Sequence, residues 1–400
     1  MDITQRQSES VLWQQVWGIA VLQAAVALSW QIYSAAQPAI LNKVGLMAAL
    51  GMLSLVPGIL SLLLDPLMGK FTDHIQRKIG ARLPVVNVGV ILTSLIFMTV
   101  ALGLQTNLLI SLKWFVPMMM VAWVATMKVF QNPSISLVKR YVPPQELPRA
   151  ASLLTVLGAV VSATKPLAAS AVARFGASLT FLLGGVVLMT ALTILQRLTP
   201  KAAKSAAETG EPELTNGQLA TIFVVGLGVQ LAAGGLLGVM PGSLRARLPQ
   251  LGFELISSSI LIVSGISAIP VGQWIKRIGV ERALLAGLGG ALAVVSLALL
   301  SVNASVALGE MVVCGVVLAL LFNVGVPFAL ARVPASQASF AIGLFFGGGG
   351  AATLFFTLFK LQYGELSPWL AWWMSLIAFG LVVACLEVVR RGSLAWPGDG

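Results

Sequence analysis

Residues 65–84 read Asp65-Pro66-Leu67-Met68-Gly69-Lys70-Phe71-Thr72-Asp73-His74-Ile75-Gln76-Arg77-Lys78-Ile79-Gly80-Ala81-Arg82-Leu83-Pro84. This polar, basic stretch sits between two long apolar ones, residues 45–68 and 84–104. Its residue types have a physical reading. Gly69 has no Cβ and lets the chain approach a neighbouring helix closely. Asp73, near a helix end, can accept charge-assisted hydrogen bonds from backbone N–H groups or from an arginine. Arg77, Lys78 and Arg82 supply positive charge. The functional reading is a conformational latch, carried by Gly69, Asp73, Arg77, Gly80 and Arg82, that breaks when two parts of the protein rock apart. The plainer reading is charge that sets topology. A second, related stretch, Pro270 to Arg282, lacks the aspartate and reads as a weakened latch or a tether.

The rest of the chain explains why such a connection recurs. The 400 residues are 58% hydrophobic and only 10% charged, and the mean hydropathy is +0.93. A soluble chain carries roughly 25% charged residues. This composition excludes a cytosolic enzyme, a disordered protein and a secreted disulfide scaffold. A spanning helix needs ~20 mostly apolar residues, and the apolar residues suffice for twelve, with no room for a large soluble domain. Cys314 and Cys385 both fall in apolar segments and read as small hydrophobes. The polar opening MDITQRQSES leads into a long stretch that fits a first spanning helix better than a cleaved signal.

The predicted helices cover residues 11–36, 45–68, 84–104, 108–138, 150–172, 178–195, 218–240, 254–275, 282–302, 306–330, 336–359 and 368–389. Residues 197–217, RLTPKAAKSAAETGEPELTNG, form the one linker-like segment. They divide an N-terminal six-helix bundle, residues 1–196, from a C-terminal one, residues 218–400. With the N-terminus cytoplasmic, seventeen of the 25 basic residues fall on the cytoplasmic side, Arg6, Arg149, Lys201, Lys204 and Lys276 among them, and five on the other. That asymmetry obeys the positive-inside rule. It predicts a multi-pass protein with both termini cytoplasmic, in a bacterial inner membrane, and it accounts for the net charge of +11 without nucleic acid. A monomer is expected.

The halves repeat. Pro66 to Gly69, a basic loop, then Gly80 to Arg82 is echoed by Pro270 to Gly272, a shorter basic loop, then Gly279 to Arg282. Phe130, Arg140 and Gly158 match Phe322, Arg332 and Gly350 at one common separation, and Gln23-Ala-Ala is echoed around Gln230. Duplicated six-helix halves around a central loop are the layout of many secondary carriers, with the site at mid-membrane between the halves. On these residues the chain resembles the major facilitator superfamily over essentially its whole length. Asp65-Pro66 before Gly69, Arg82-Leu83-Pro84 after Gly80, and Pro133 to Arg140 are similar to the glycoside–pentoside–hexuronide cation symporter branch. A pigment-delivery branch of photosynthetic bacteria has a similar loop. The resemblance implies an all-α membrane protein with twelve transmembrane helices in two pseudo-symmetric six-helix bundles.

Charges inside the apolar segments are few and each is informative. Lys128 lies ~15 Å, and Lys165 ~22 Å, from the cytoplasmic surface by helical rise. Neither has a charged counterpart in the second half. Each reads as a contact for an anionic or polar substrate, or, for Lys165, as snorkelling toward the outer interface. Lys113 lies nearer that surface and reads as snorkelling. Asp65 sits inside the second helix. In the symporter branch, carboxylates on helices two and four coordinate the coupling cation. Asp65 falls on the helix-two position, but the helix-four acid is missing and Lys128 is present. The expectation is that the Lys128 ammonium takes the cation's place beside Asp65; the competing reading is that Lys128 binds an anionic substrate directly.

Polar and aromatic residues of helices one, four, seven and ten are the expected cavity lining: Gln23, Trp30, Gln31, Tyr33, Trp123, Gln131, Asn132, Gln230 and Asn323. For each, an interhelical packing or hydrogen-bonding role is the alternative. His74 is the only histidine, so no catalytic triad or histidine-based zinc site is expected. Gly347 to Gly350 lacks the Lys-Ser/Thr of a phosphate loop and reads as a close helix approach. No cofactor or metal is implied, and no enzyme chemistry. The sequence therefore reads as a secondary transporter of a small polar organic solute, sugar-like or anionic. The alternative is a pigment- or membrane-complex assembly factor on the same fold.

Overall fold

The computed structural model describes residues 11–106, 111–199, 214–301 and 303–391. Arg6, Lys201 and Lys204, the start of the fourth predicted helix at Leu108, and most of the 197–217 linker lie outside these residues. Twelve long helices follow in order: α1 Trp13–Lys43, α2 Ala49–Ile79, α3 Leu83–Gln105, α4 Phe115–Ser136, α5 Leu147–Ala163, α6 Lys165–Leu198, α7 Asn216–Arg247, α8 Phe253–Ile278, α9 Val280–Leu300, α10 Ala304–Ala331, α11 Ala338–Tyr363 and α12 Pro368–Arg391. Apart from α4, each is long and apolar enough to cross a bilayer, α5 together with the turn Pro144–Glu146 that leads into it. Lys128, Gln131 and Asn132 are what lower the hydropathy of α4, and these are the residues that bear on the site.

Helix ends follow local chemistry. Gly80 ends α2 in the left-handed region, φ +81°, with its N–H bonded to the Gln76 carbonyl at 2.7 Å. Thr215 and Gln218 close a capping box at the start of α7. The fifth and sixth crossings differ from expectation. Helical structure breaks at Thr164, just before Lys165-Pro166, and resumes in α6, which runs on to Leu198. The chain reverses at Gly176, φ +78°, ψ 159°. The first part of α6 thus completes the crossing begun by α5, and one glycine replaces the loop expected between Val172 and Ser178.

Within the first half, α1 packs on α5 and α6, and α3 on α4 and α6. The second half matches it, with α7 on α11 and α12 and α9 on α10 and α12. The halves meet along two crossed pairs, α2 with α11 and α8 with α5. A Cβ on Gly69 would lie 2.3 Å from the Ser339 carbonyl oxygen, and one on Gly272 would lie 2.8 Å from Ser152 Cβ. Only glycine fits these two equivalent crossings. The glycine run of α11 serves the same end: Gly347 and Gly350 face Pro66 and Ser61 of α2, and Gly348 faces the Phe223 carbonyl of α7.

Candidate functional site: a central cavity, a gate and a buried ion pair

A cavity of about 360 Å³ lies between the halves at mid-height. Helix α1 contributes Gln23, Val26, Ala27, Trp30 and Gln31, and α4 contributes Gln131 and Ile135. Thr155, Gly158 and Ser162 come from α5 at helical spacing, with Phe322 and Val326 from α10 and Phe346 from α11. No lining residue is charged. Gln23 donates to Ser134 Oγ at 2.7 Å, which fixes its amide, and Gln131 Oε1 is buried without a partner.

Four of the residues expected in the lining are there: Gln23, Trp30, Gln31 and Gln131. The others are not. Tyr33 and Trp123 are buried and stack on each other with centroids 4.3 Å apart and planes at 6°. Trp123 also meets Trp30 edge-on at 4.9 Å, so this pair backs the cavity wall without reaching it. Asn323 donates to the Ala268 carbonyl at 2.7 Å and ties α10 to α8. Asn132 is buried behind the wall, and Gln230 packs against Gly349. Lys165 is exposed at the start of α6, outside the lining, because the helix break at Thr164 turns the chain there. Thr155, Ser162 and Phe322 were missed. The small-residue spacing Thr155, Gly158, Ser162 along one helical face was the available signal.

Between the cavity and the face bearing the basic loops, the halves are tied together. Asp73 accepts from the backbone N–H of Ser339 at 3.2 Å and of Phe340 at 2.8 Å, at the start of α11. This is a carboxylate at a helix N-terminus, where unpaired N–H groups and the helix dipole favour it. Arg82 donates to Asp73 Oδ1 at 2.8 Å, to the Ala335 carbonyl at 2.5 Å and to the Ser136 carbonyl at 3.4 Å. Burial pushes the Arg82 guanidinium below its ordinary pKa, while Asp73 opposes the shift. Ser136 and Ser339 share a 2.8 Å hydrogen bond. Lys139 donates to the carbonyls of Leu330, at 2.6 Å, and of Val333, at the end of α10. Of the expected latch residues, Gly69, Asp73 and Arg82 are at this junction, and Gly80 ends α2 between Asp73 and Arg82. Arg77 is exposed near the end of α2 and makes no ion pair among the described residues. At the equivalent point of the second half, Lys276 of α8 pairs with Glu146, which precedes α5.

The second cluster is at the α2–α4 contact. Lys128 Nζ lies 3.5 Å from Asp65 Oδ2 and 3.0 Å from Ser61 Oγ. Ser61 in turn donates to Asp65 Oδ2. Asp65 is fully buried, whereas the Lys128 side chain keeps 11% exposure. The ammonium is 5.7 Å from the ring of Trp30, which lines the cavity. The Asn132 side chain of α4 also lies against the Asp65 carboxylate. A further cluster missed in the sequence joins α7 to α10 near the opposite face, where Arg247 pairs with buried Glu310 and also bonds Ser301. A lone acid in the otherwise apolar α10 was its signal.

Three solved structures are similar over nearly the whole chain. A bacterial homologue of the iron transporter ferroportin, in an outward-facing state, superposes with a TM-score of 0.74 at 18% identity, covering 96% of this chain and all of that one. A bacterial ferroportin homologue in an outward-facing state with soaked iron gives 0.68 at 18% identity, with 96% and 99% coverage. The human organic anion transporter MFSD10 (TETRAN) gives 0.68 at 13% identity, with 95% and 100% coverage. Among curated proteins no sequence matches. The family model of the Major Facilitator Superfamily matches residues 19–357. The chain belongs to the major facilitator superfamily and has the fold of its transporters.

Proposed function

We propose that the protein is a secondary transporter of a small polar organic solute, working by alternating access. The observation that carries this reading is the uncharged cavity between the halves, with three glutamine amides in its otherwise largely apolar lining, together with the ties at Asp73, Arg82 and Lys139 that close it toward the basic face. A volume of about 360 Å³ suits one small molecule. The N-terminal bundle, residues 1–196, and the C-terminal bundle, residues 218–400, rock as units about the cavity, with 197–217 as the cytoplasmic linker. Both termini are cytoplasmic, so the closed face is the inner one and the described state is outward-facing. The protein acts as a monomer in a bacterial inner membrane.

The lining has no Asp, Glu, His or Cys. That supports an organic solute over an iron ion, whose ligands are of those types. The loop's likeness to the glycoside–pentoside–hexuronide symporters adds a sugar-like substrate, and Trp30 with three glutamines offers a ring face and amides to one. The ammonium of Lys128 already occupies the side of Asp65, so transport is independent of Na⁺. An assembly factor for pigment complexes calls for a groove without polar groups; the three glutamines, Thr155 and Ser162 among otherwise apolar lining residues favour a solute that itself carries polar groups.

The test is untargeted comparison of metabolites taken up by vesicles with and without the protein. At least one small polar solute should accumulate only with it, equally in Na⁺ and K⁺ media. Identical uptake, with pigment co-purifying, would contradict the reading.

A further inference from the structure

We infer that the cavity takes a solute with two unlike faces: a hydrogen-bonding edge held by the N-terminal half, and an apolar ring or chain held against the C-terminal half. An aryl glycoside or an aromatic amide has this build. The inference rests on the transport reading and narrows its substrate class.

The two walls of the cavity differ in chemistry. Every polar side chain of the lining, Gln23, Gln31, Gln131, Thr155 and Ser162, comes from α1, α4 or α5. The C-terminal half contributes only Phe322, Val326 and Phe346.

The duplication shows that the fold does not impose this difference. At the separation that relates Phe130 to Phe322, Gln131 corresponds to Asn323, Ser134 to Val326 and Leu154 to Phe346. Gln131 reaches the cavity, but Asn323 is fully buried and donates to the Ala268 carbonyl of α8. Ser134 accepts from Gln23, whereas Val326 lines the cavity as an apolar group. Thr155 and Ser162 correspond to Gly347 and Leu354, which lie against Pro66 and Gly58 in the crossing with α2. Gln230, which echoes Gln23, packs against Gly349. The C-terminal half thus uses its equivalent positions for its own packing and leaves a purely apolar wall.

The walls set what the solute must bring. Gln23 donates to Ser134 Oγ at 2.7 Å, and Ser134 donates to the Gln131 backbone carbonyl at 2.7 Å, so the Gln23 amide is fixed with its N–H in use. Gln131 Oε1 has no partner. An acceptor left unpaired away from water is costly, so the solute edge facing this wall carries O–H or N–H donors. Opposite, a hydroxyl turned toward Phe322 and Phe346 would lose its water and find no partner. A ring or alkyl group there gains by burial. A hexose without an apolar substituent satisfies only the first wall. The arrangement also suits a rocking carrier. Directional bonds stay with one half, while apolar contact, which is non-directional, lets the other wall slide past the solute.

The experiment uses purified full-length protein in lipid nanodiscs, with empty nanodiscs as the blank, and two matched probe sets. One is phenyl β-glucoside with glucose and phenyl tetra-O-methyl-β-glucoside; the other is benzamide with acetamide and N,N-dimethylbenzamide. In each set the first probe has both faces, the second lacks the ring and the third lacks the donors. Thermal stabilisation over a concentration series reports binding. In at least one set the first probe should bind at least about tenfold more tightly than both of its analogues. Phe322→Ala should erase the preference over the ringless analogue and keep the preference over the donorless one. Gln131→Leu should do the reverse. If either variant does not fold, the wild-type ranking decides alone. A ringless or donorless analogue that binds as well as the first probe in both sets, or a variant that erases both preferences together, overturns the inference and leaves the transport reading standing. No stabilisation by any probe counts against both.

Discussion

The backbone N–H of Phe340 donates to Asp73 Oδ2 at 2.8 Å and so joins the end of α2 to the start of α11, one from each half. Under the proposed alternating access the bond exists only while the basic face is closed, because α11 belongs to the half that would swing away. A sequence motif that could have been mere topology-setting charge is thereby an inter-half contact.

Asp73→Asn keeps one acceptor oxygen and loses the charge. Hydrogen bonds to charged groups contribute about 1.5–3 kcal/mol each, so the closed population should fall by about ten- to a hundredfold relative to the open one. Transport should drop while expression stays near wild type. Unaltered transport in this variant reduces the motif to topology.

The matching position of the second half should matter less. Lys276 pairs with Glu146, but the lysine side chain is 46% exposed, and exposed pairs contribute about 0–1 kcal/mol. Lys276→Ala should leave transport within about fivefold of wild type, by the same range. A loss as large as that of Asp73→Asn would show that the two crossings share the load.

Gly69→Ala adds a Cβ 2.3 Å from the Ser339 carbonyl oxygen. Overpacking of a tight contact costs about 1–3 kcal/mol. The cost falls on the closed state, so a cysteine at Ile135, which lines the cavity, should gain labelling from the basic-loop side. No gain would mean that α2 and α11 separate elsewhere.

The Asp65–Lys128 pair predicts a double-mutant effect. Breaking a buried pair by removing one partner costs about 3–5 kcal/mol. Lys128→Ala should lower thermal stability strongly, and Asp65→Asn added to it should restore most of the loss. Additive losses would show that the two groups act independently. Transport by wild type should not depend on Na⁺.

The twelve helices and the repeat were legible because length and hydropathy alone mark a spanning segment, and Gly69, Asp73 and Arg82 stood at a spacing with a physical reason. Which face of a helix meets the cavity was less legible. In lipid both faces of a helix are apolar, so periodicity does not point inward as it does in water. Trp123 and Tyr33 therefore looked like cavity aromatics and are a stacked pair behind its wall. Asn323 looked like a solute ligand and is an α10–α8 tie. The turn at Gly176 was hidden because one residue suffices where a left-handed glycine is available, and no polar loop announces it. Ser61, which bridges Lys128 and Asp65, carried no signal that set it apart from the other serines of apolar helices.

The most direct measurement is a pair of spin-label distances, read in wild type and in Asp73→Asn. One pair, Arg77 with Arg282, spans the halves at the basic face, and the other, Asn42 with Arg245, spans them at the opposite face; all four residues are exposed. Alternating access predicts that Asp73→Asn lengthens the first distance and shortens the second together. Distances that stay unchanged at both faces, or that lengthen at both, would contradict it.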